Sequence, residues 1–120
     1  MCMIFKFKEP KNNGKYYWTK HALEKMKFYG LSEQRVLRVL KSPERCEEGV
    51  VEGCRAYMQT LGEKRKTEIW VMVDARNLRN NQQKIVTVWR YPGKSPVRGE
   101  VPIPRDVLEQ ILEELQNVVD

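Results

Sequence analysis

Residues 68–74, Glu-Ile-Trp-Val-Met-Val-Asp, and residues 84–91, Lys-Ile-Val-Thr-Val-Trp-Arg-Tyr, decide the fold. Both are rich in β-branched and aromatic side chains and carry no helix-period stripe, so both read as strands. Residues 54–61 read as a further strand and residues 44–51 as a weaker one, with Gly53, Gly62 and the polar run Asn77–Gln83 as breaks. The connections are short enough for an antiparallel meander and too short for helical crossovers.

Before Pro43 the period is helical. Thr19 is placed to N-cap a helix to about Phe28, with Leu23 and Met26 at helical spacing and Gly30 set to end it in a left-handed conformation. Ser32 caps a second, in which Val36, Leu37, Val39 and Leu40 form an apolar stripe that Pro43 closes. The two make a helical hairpin joined at Gly30-Leu31. Further upstream, Met3-Ile4-Phe5-Lys6-Phe7-Lys8 alternates like an edge strand, and residues 9–14 read as a turn. After the meander, Pro104 opens a closing helix whose stripe is Val107, Leu108, Ile111, Leu112, Leu115 and Val118. The expected fold is a single α+β domain over residues 1–120: a helical hairpin on a mostly antiparallel sheet of three to five strands, with a C-terminal amphipathic helix.

Composition bounds the function. No run approaches the ~20 apolar residues of a spanning helix, and the N-terminus lacks a signal peptide's apolar run, so a soluble, cytoplasmic protein is expected. Cys2, Cys46 and Cys54 are an odd count without zinc-like spacing, and His21 is the sole histidine, which disfavours a disulfide scaffold and a structural zinc site. No metal or cofactor is expected. The net charge is +6, split between residues 1–98, with 21 Lys+Arg against 10 Asp+Glu, and residues 99–120, with one Arg against six acids. A basic body points to a polyanion, most simply nucleic acid; a merely solvated charged surface is the alternative.

Alternation gives the strands two faces. One holds Cys54, Ala56, Met58, Ile69, Val71, Val73, Val86, Val88 and Arg90, and suits packing beneath the helices. The other holds Arg55, Tyr57, Gln59, Glu68, Trp70, Met72, Asp74, Thr87, Trp89 and Tyr91. Aromatic rings interleaved with cations suit single-stranded RNA, with Tyr57, Trp70 and Trp89 stacking on bases. The same face equally suits a second core in which Trp70 and Trp89 are the floor of the closing helix. Lys64, Arg65 and Lys66 in one loop, with Arg76, Arg79, Lys94 and Arg98 in others, add candidate phosphate contacts.

Thr19-Lys20-His21-Ala22-Leu23-Glu24-Lys25-Met26, then Tyr29-Gly30-Leu31-Ser32 and Val36-Leu37-Arg38-Val39-Leu40, resemble a small bacterial and archaeal domain family of unknown function, itself similar to the RelE and BrnT toxin endoribonucleases. Lys84–Arg90 resembles its closing strand. Phe28-Tyr29 stands where that family often has a basic residue, and the acidic helix after residue 100 lies outside the pattern. The resemblance implies a RelE-like fold, RNA as partner, a small acidic antitoxin, and metal-independent cleavage in which the ribose 2′-OH attacks the adjacent phosphorus. That chemistry needs a proton acceptor, a proton donor and cations on the phosphate. His21 is the candidate for proton transfer, Arg55, Arg90 or Lys66 for phosphate stabilisation, and Thr87 or Tyr91 for positioning or donation. Arg55 is preferred because it is expected to share a face with Tyr57, Thr87 and Tyr91. Against this, His21 lies beside the Leu23/Met26 stripe, where a structural histidine is common. Asp74 and Glu68 form a further carboxylate pair, Glu47, Glu48 and Glu52 read as a charged turn, and Cys46 and Cys54 as reduced thiols. A non-catalytic RNA-binding module and a protein-interaction domain are the rival readings.

Overall fold

The computed structural model describes residues 7–48, 52–74, 76, 82–95 and 100–116. The elements are β1 (Tyr16–Trp18), α1 (Lys20–Tyr29), α2 (Glu33–Lys41), β2 (Arg45–Glu48), β3 (Cys54–Leu61), β4 (Thr67–Asp74), β5 (Gln83–Pro92) and α3 (Arg105–Gln116). Among the described residues the fold is α+β, a mixed five-stranded sheet in the order β1-β5-β4-β3-β2 with three helices. Strands β2 to β5 form the expected antiparallel meander, and β1 joins parallel to β5. Most of the alternating Met3–Lys8 stretch lies outside the described residues; the first strand among the described residues is Tyr16–Trp18.

Local signals set the helices. Thr19 Oγ1 accepts the Ala22 N–H at 3.0 Å and donates to the Val86 carbonyl at 2.7 Å, so one side chain caps α1 and pins it to β5. Gly30, at φ 67°, ends α1 in the left-handed region, and its N–H returns to the Met26 carbonyl. Ser32 then caps α2 by accepting from Arg35 N–H.

The sheet has an upper end, where Leu61, Thr67 and Pro92 lie level, and a lower end, where Cys54, Asp74 and Lys84 do. Helix α1 starts low, with Thr19 N–H on the Ile85 carbonyl, and finishes high, where Arg90 donates to the Tyr29 carbonyl at 3.1 Å.

Two cores lie on the two faces. On the hairpin side Ala22, Met26, Val36 and Val39 pack against Ile69, Val71, Val73, Ile85 and Val88. On the other, Val107 and Ile111 of α3 pack against Cys54, Ala56, Met58, Trp70, Met72, Val86 and Trp89. Trp70 and Trp89, both fully buried, stack with centroids 5.9 Å apart and planes 5° from parallel.

This arrangement corrects the expected faces. The register sets Arg55 opposite Val73 and Tyr57 opposite Val71, so Arg55, Tyr57 and Gln59 belong to the hairpin face and Cys54, Ala56 and Met58 to the α3 face. In β5 a bulge opposite Met72/Val73 inserts one residue, which sends Val86 to the α3 side while Ile85 and Val88 face the hairpin. Within α3 the expected stripe divides: Val107 and Ile111 are buried, Leu115 is partly so, and Leu108 and Leu112 are exposed. Val118 lies outside the described residues.

Candidate nucleic-acid interface

Three groups of polar side chains emerge, at separate places on the sheet. The first is the upper end. Gly62, at φ 92°, turns β3 into the Glu63–Lys66 loop, and a Cβ there would lie 2.4 Å from the Arg65 carbonyl oxygen, so glycine is required for the tight approach. The loop is tied to the end of β5 by the Gly93 N–H donating to the Lys66 carbonyl at 2.8 Å. Lys64, Arg65, Lys66 and Lys94 are all exposed, and among the described residues none of the four forms an ion pair. Arg90 links this loop to the hairpin, donating to Thr67 Oγ1 at 3.4 Å and to the Tyr29 carbonyl.

Beneath that loop, Glu68 is 1% exposed and accepts from Trp70 Nε1 (3.0 Å), Ser95 N (3.1 Å) and Ser95 Oγ (2.7 Å). Arg45 donates to Ser95 Oγ at 2.7 Å and lies 5.1 Å from the Trp70 ring centroid. The carboxylate thus holds the Lys94-Ser95 segment on the sheet, a structural role.

The second group lies on the hairpin face at β2–β3. The register puts Glu48 opposite Arg55 and Cys46 opposite Tyr57. Arg55 Nη2 is 2.6 Å from Glu48 Oε1, and Nη1 is 3.4 Å from the Tyr57 hydroxyl. A carboxylate, a guanidinium and a phenol therefore meet on a partly open face. Glu48 belongs to the Glu47, Glu48 and Glu52 group expected as a charged turn, and here it sits on strand β2. Pairing β2 with β3 by the spacing across Gly53 is the one signal that would have placed it.

The third group is at the lower end. Asp74, buried, accepts from Arg76 Nε at 2.9 Å and Nη2 at 2.6 Å, and from the Arg76 N–H. Burial pushes its carboxyl upward, but these hydrogen bonds and the charges of Arg76 and Lys84 outweigh it and hold the group below the usual range. Lys84 Nζ is 3.3 Å from Glu114, and His21 Nε2 lies 3.8 Å from Glu113 and 4.0 Å from Glu114. The buried Cys54 thiol is pushed up to about 11, chiefly by burial and then by Asp74. The Cys46 thiol on the opposite face is also raised, by partial desolvation first, with Arg55 opposing and Glu48 and Glu47 adding.

The candidate catalytic residues do not meet. His21 is beside α3, Arg55 is on the hairpin face, the Thr87 hydroxyl is fully buried and donates to the Val88 carbonyl at 3.5 Å, and Tyr91 is high on the α3 side. Arg55 and Arg90, expected on opposite faces, share the hairpin side but stand four residues apart in level, about 13 Å along the strands. Of the candidate RNA contacts, Lys64, Arg65, Lys66 and Arg90 come together. Tyr57 is half-buried against the hairpin core, and Trp70 and Trp89 are the floor of α3, where no base reaches them. Asp74 and Glu68 share a face but sit at opposite ends of β4, each held by its own donors. Arg76 is engaged by Asp74, while Arg79 and Arg98 lie outside the described residues.

Among the described residues no helix is long and apolar enough to cross a membrane. Compared with known protein families, with curated proteins and with solved structures, the chain matches none.

Proposed function

We propose that this protein is an RNA-binding domain of RelE-like arrangement, which takes the phosphate backbone on the upper end of its sheet. The observation that carries the reading is the convergence of Lys64, Arg65, Lys66 and Lys94, all without ion-pair partners among the described residues, on one end of the sheet that Gly62, Gly93 and Arg90 hold in shape. Exposed, unpaired cations on a fixed loop bind polyanions through counterion release, with a salt dependence that counts the phosphates engaged. The order of helical hairpin, meander and closing helix supports the RelE-like arrangement. A small acidic partner of the antitoxin kind would meet the same cations and compete with RNA.

Titrating labelled single-stranded RNA at several salt concentrations tests this. The triple variant Lys64→Ala/Arg65→Ala/Lys66→Ala is expected to bind more weakly and to flatten the slope of log affinity against log salt by about 2, three contacts at ~0.7 each. An unchanged slope sinks the proposal.

Cleavage is a second reading, and Glu48–Arg55–Tyr57 is the observation that favours it. In it Glu48 takes the proton of the ribose 2′-OH as that oxygen bonds to phosphorus. Arg55 holds the non-bridging oxygens, and Tyr57 protonates the departing 5′-oxygen, leaving a cyclic phosphate. Cyclic-phosphate ends formed without metal, and lost in Glu48→Gln, are its expected result; cleavage indifferent to Glu48→Gln refutes that assignment.

A further inference from the structure

Phe28 is 75% exposed at the upper end of α1, the most exposed large apolar side chain among the described residues. The helix does not need it for packing: Ala22 and Met26 are its buried residues, with Leu23 and Tyr29 packed at the margin. The ring has two neighbours of note. Tyr29 meets it edge to face with centroids 4.9 Å apart, and the Lys25 ammonium lies 5.4 Å from its centroid. Lys25 in turn pairs with Asp106 at 2.5 Å, which fixes the ammonium beside the ring.

Phe28 is also tied to the basic loop. The carbonyl of Tyr29 accepts from Arg90, the same guanidinium donates to Thr67 Oγ1, and Thr67 directly follows Lys66. Two hydrogen bonds therefore connect the backbone next to the exposed ring with the loop carrying Lys64, Arg65 and Lys66, and Lys27 stands exposed beside it. An open aromatic ring set at the border of unpaired cations is what an unstacked base and its phosphates require.

We propose that Phe28 is the stacking platform for a base of single-stranded RNA, an inference that rests on the upper end being the RNA site. The link through Arg90 to the loop cations favours this occupant over an apolar protein surface. Lys27 is exposed beside Phe28, and the Lys25 ammonium, itself paired with Asp106, lies against the ring. A duplex, whose bases are already stacked, would gain only the phosphate contacts.

The test measures binding of wild type, Phe28→Ala, Phe28→Leu and Phe28→Trp to a single-stranded RNA oligomer, an abasic oligomer of equal length and an RNA duplex. Thermal melts check folding, and sedimentation reports the oligomeric state. Phe28→Ala and Phe28→Leu are expected to lose about tenfold in affinity for the single strand. Phe28→Trp keeps it, and abasic and duplex binding stay unchanged, as does the salt slope. Salt-sensitive wild-type binding that Phe28→Ala leaves intact overturns the platform and spares the RNA reading. No salt-sensitive binding by wild type overturns both. Equal losses on the abasic oligomer, or a self-association abolished by Phe28→Ala with RNA affinity unaltered, also overturn it, the latter by making a second copy the occupant.

Discussion

The two ends of the sheet treat charge in opposite ways. At the lower end, charges come in pairs, Asp74 with Arg76 and Lys84 with Glu114, and the His21 imidazole lies beside Glu113 and Glu114. At the upper end Lys25 pairs with Asp106 and ties α1 to α3, but the loop cations Lys64, Arg65, Lys66 and Lys94 stand exposed without ion pairs among the described residues, and the buried Glu68 is satisfied by Trp70 and Ser95. Paired charges at the lower end tie β5 to α3 and satisfy the buried Asp74 carboxylate, so their removal reads out in stability. Unpaired ones hold nothing inside the fold, so their removal reads out in binding.

The largest effect is expected where a partner is removed from a buried charge. Arg76→Ala leaves the Asp74 carboxylate with one backbone N–H and the more distant Lys84, and should lower stability by about 2–3 kcal/mol at neutral pH, read by urea titration. The pH dependence sharpens this. The native Asp74 carboxyl lies below its ordinary value of 3.8, so its stabilisation is fully present above that value and is lost as pH falls through the lower, native one. The gap between wild type and Arg76→Ala should therefore close as pH drops below about 4. A gap that persists in acid would assign the loss to something other than the carboxylate.

The contrast also shows what the sequence could tell. Thr19, Ser32 and Gly30 were legible because a cap is a local event, and β3 to β5 because their residue types fill each strand end to end. Strand β1 was not: three residues carry no measurable period, and they pair with Gln83–Ile85, far along the chain. Facing was legible only within a strand. Cys54, Ala56 and Met58 are rightly the apolar side of β3, but with a core on each face apolarity does not say which core, and the Val86 bulge changes parity inside β5. Of the candidate site, the Lys64–Lys66 loop is contiguous and could be read. The Glu48–Arg55 pair and the link from Phe28 through Arg90 to Thr67 exist only through register.

A middle-sized effect tests whether the shape of the upper end matters as well as its charge. Gly62→Ala places a side chain at positive φ with its Cβ 2.4 Å from the Arg65 carbonyl oxygen, so the loop must move or strain. A stability loss of about 1–2 kcal/mol is expected. RNA affinity should fall although no charge is removed. Weakened stability with full affinity would mean that the cations act as a loose cloud, and that the glycine serves folding alone.

The smallest effect on stability is expected from the change with the largest consequence for binding. Lys64→Ala/Arg65→Ala/Lys66→Ala removes three exposed side chains that make no ion pair among the described residues. Such surface positions shift folding free energy by about 0.5 kcal/mol or less. The backbone hydrogen bond from Gly93 to Lys66 persists in the variant, since it uses no side chain. Mutual repulsion among three adjacent cations is also relieved, which sets the sign of the small shift toward stabilisation at low salt and toward zero as salt screens it. A thermal melt at two ionic strengths reads this directly. Marked destabilisation would show that these cations belong to the fold after all, and would erase the difference between the two ends.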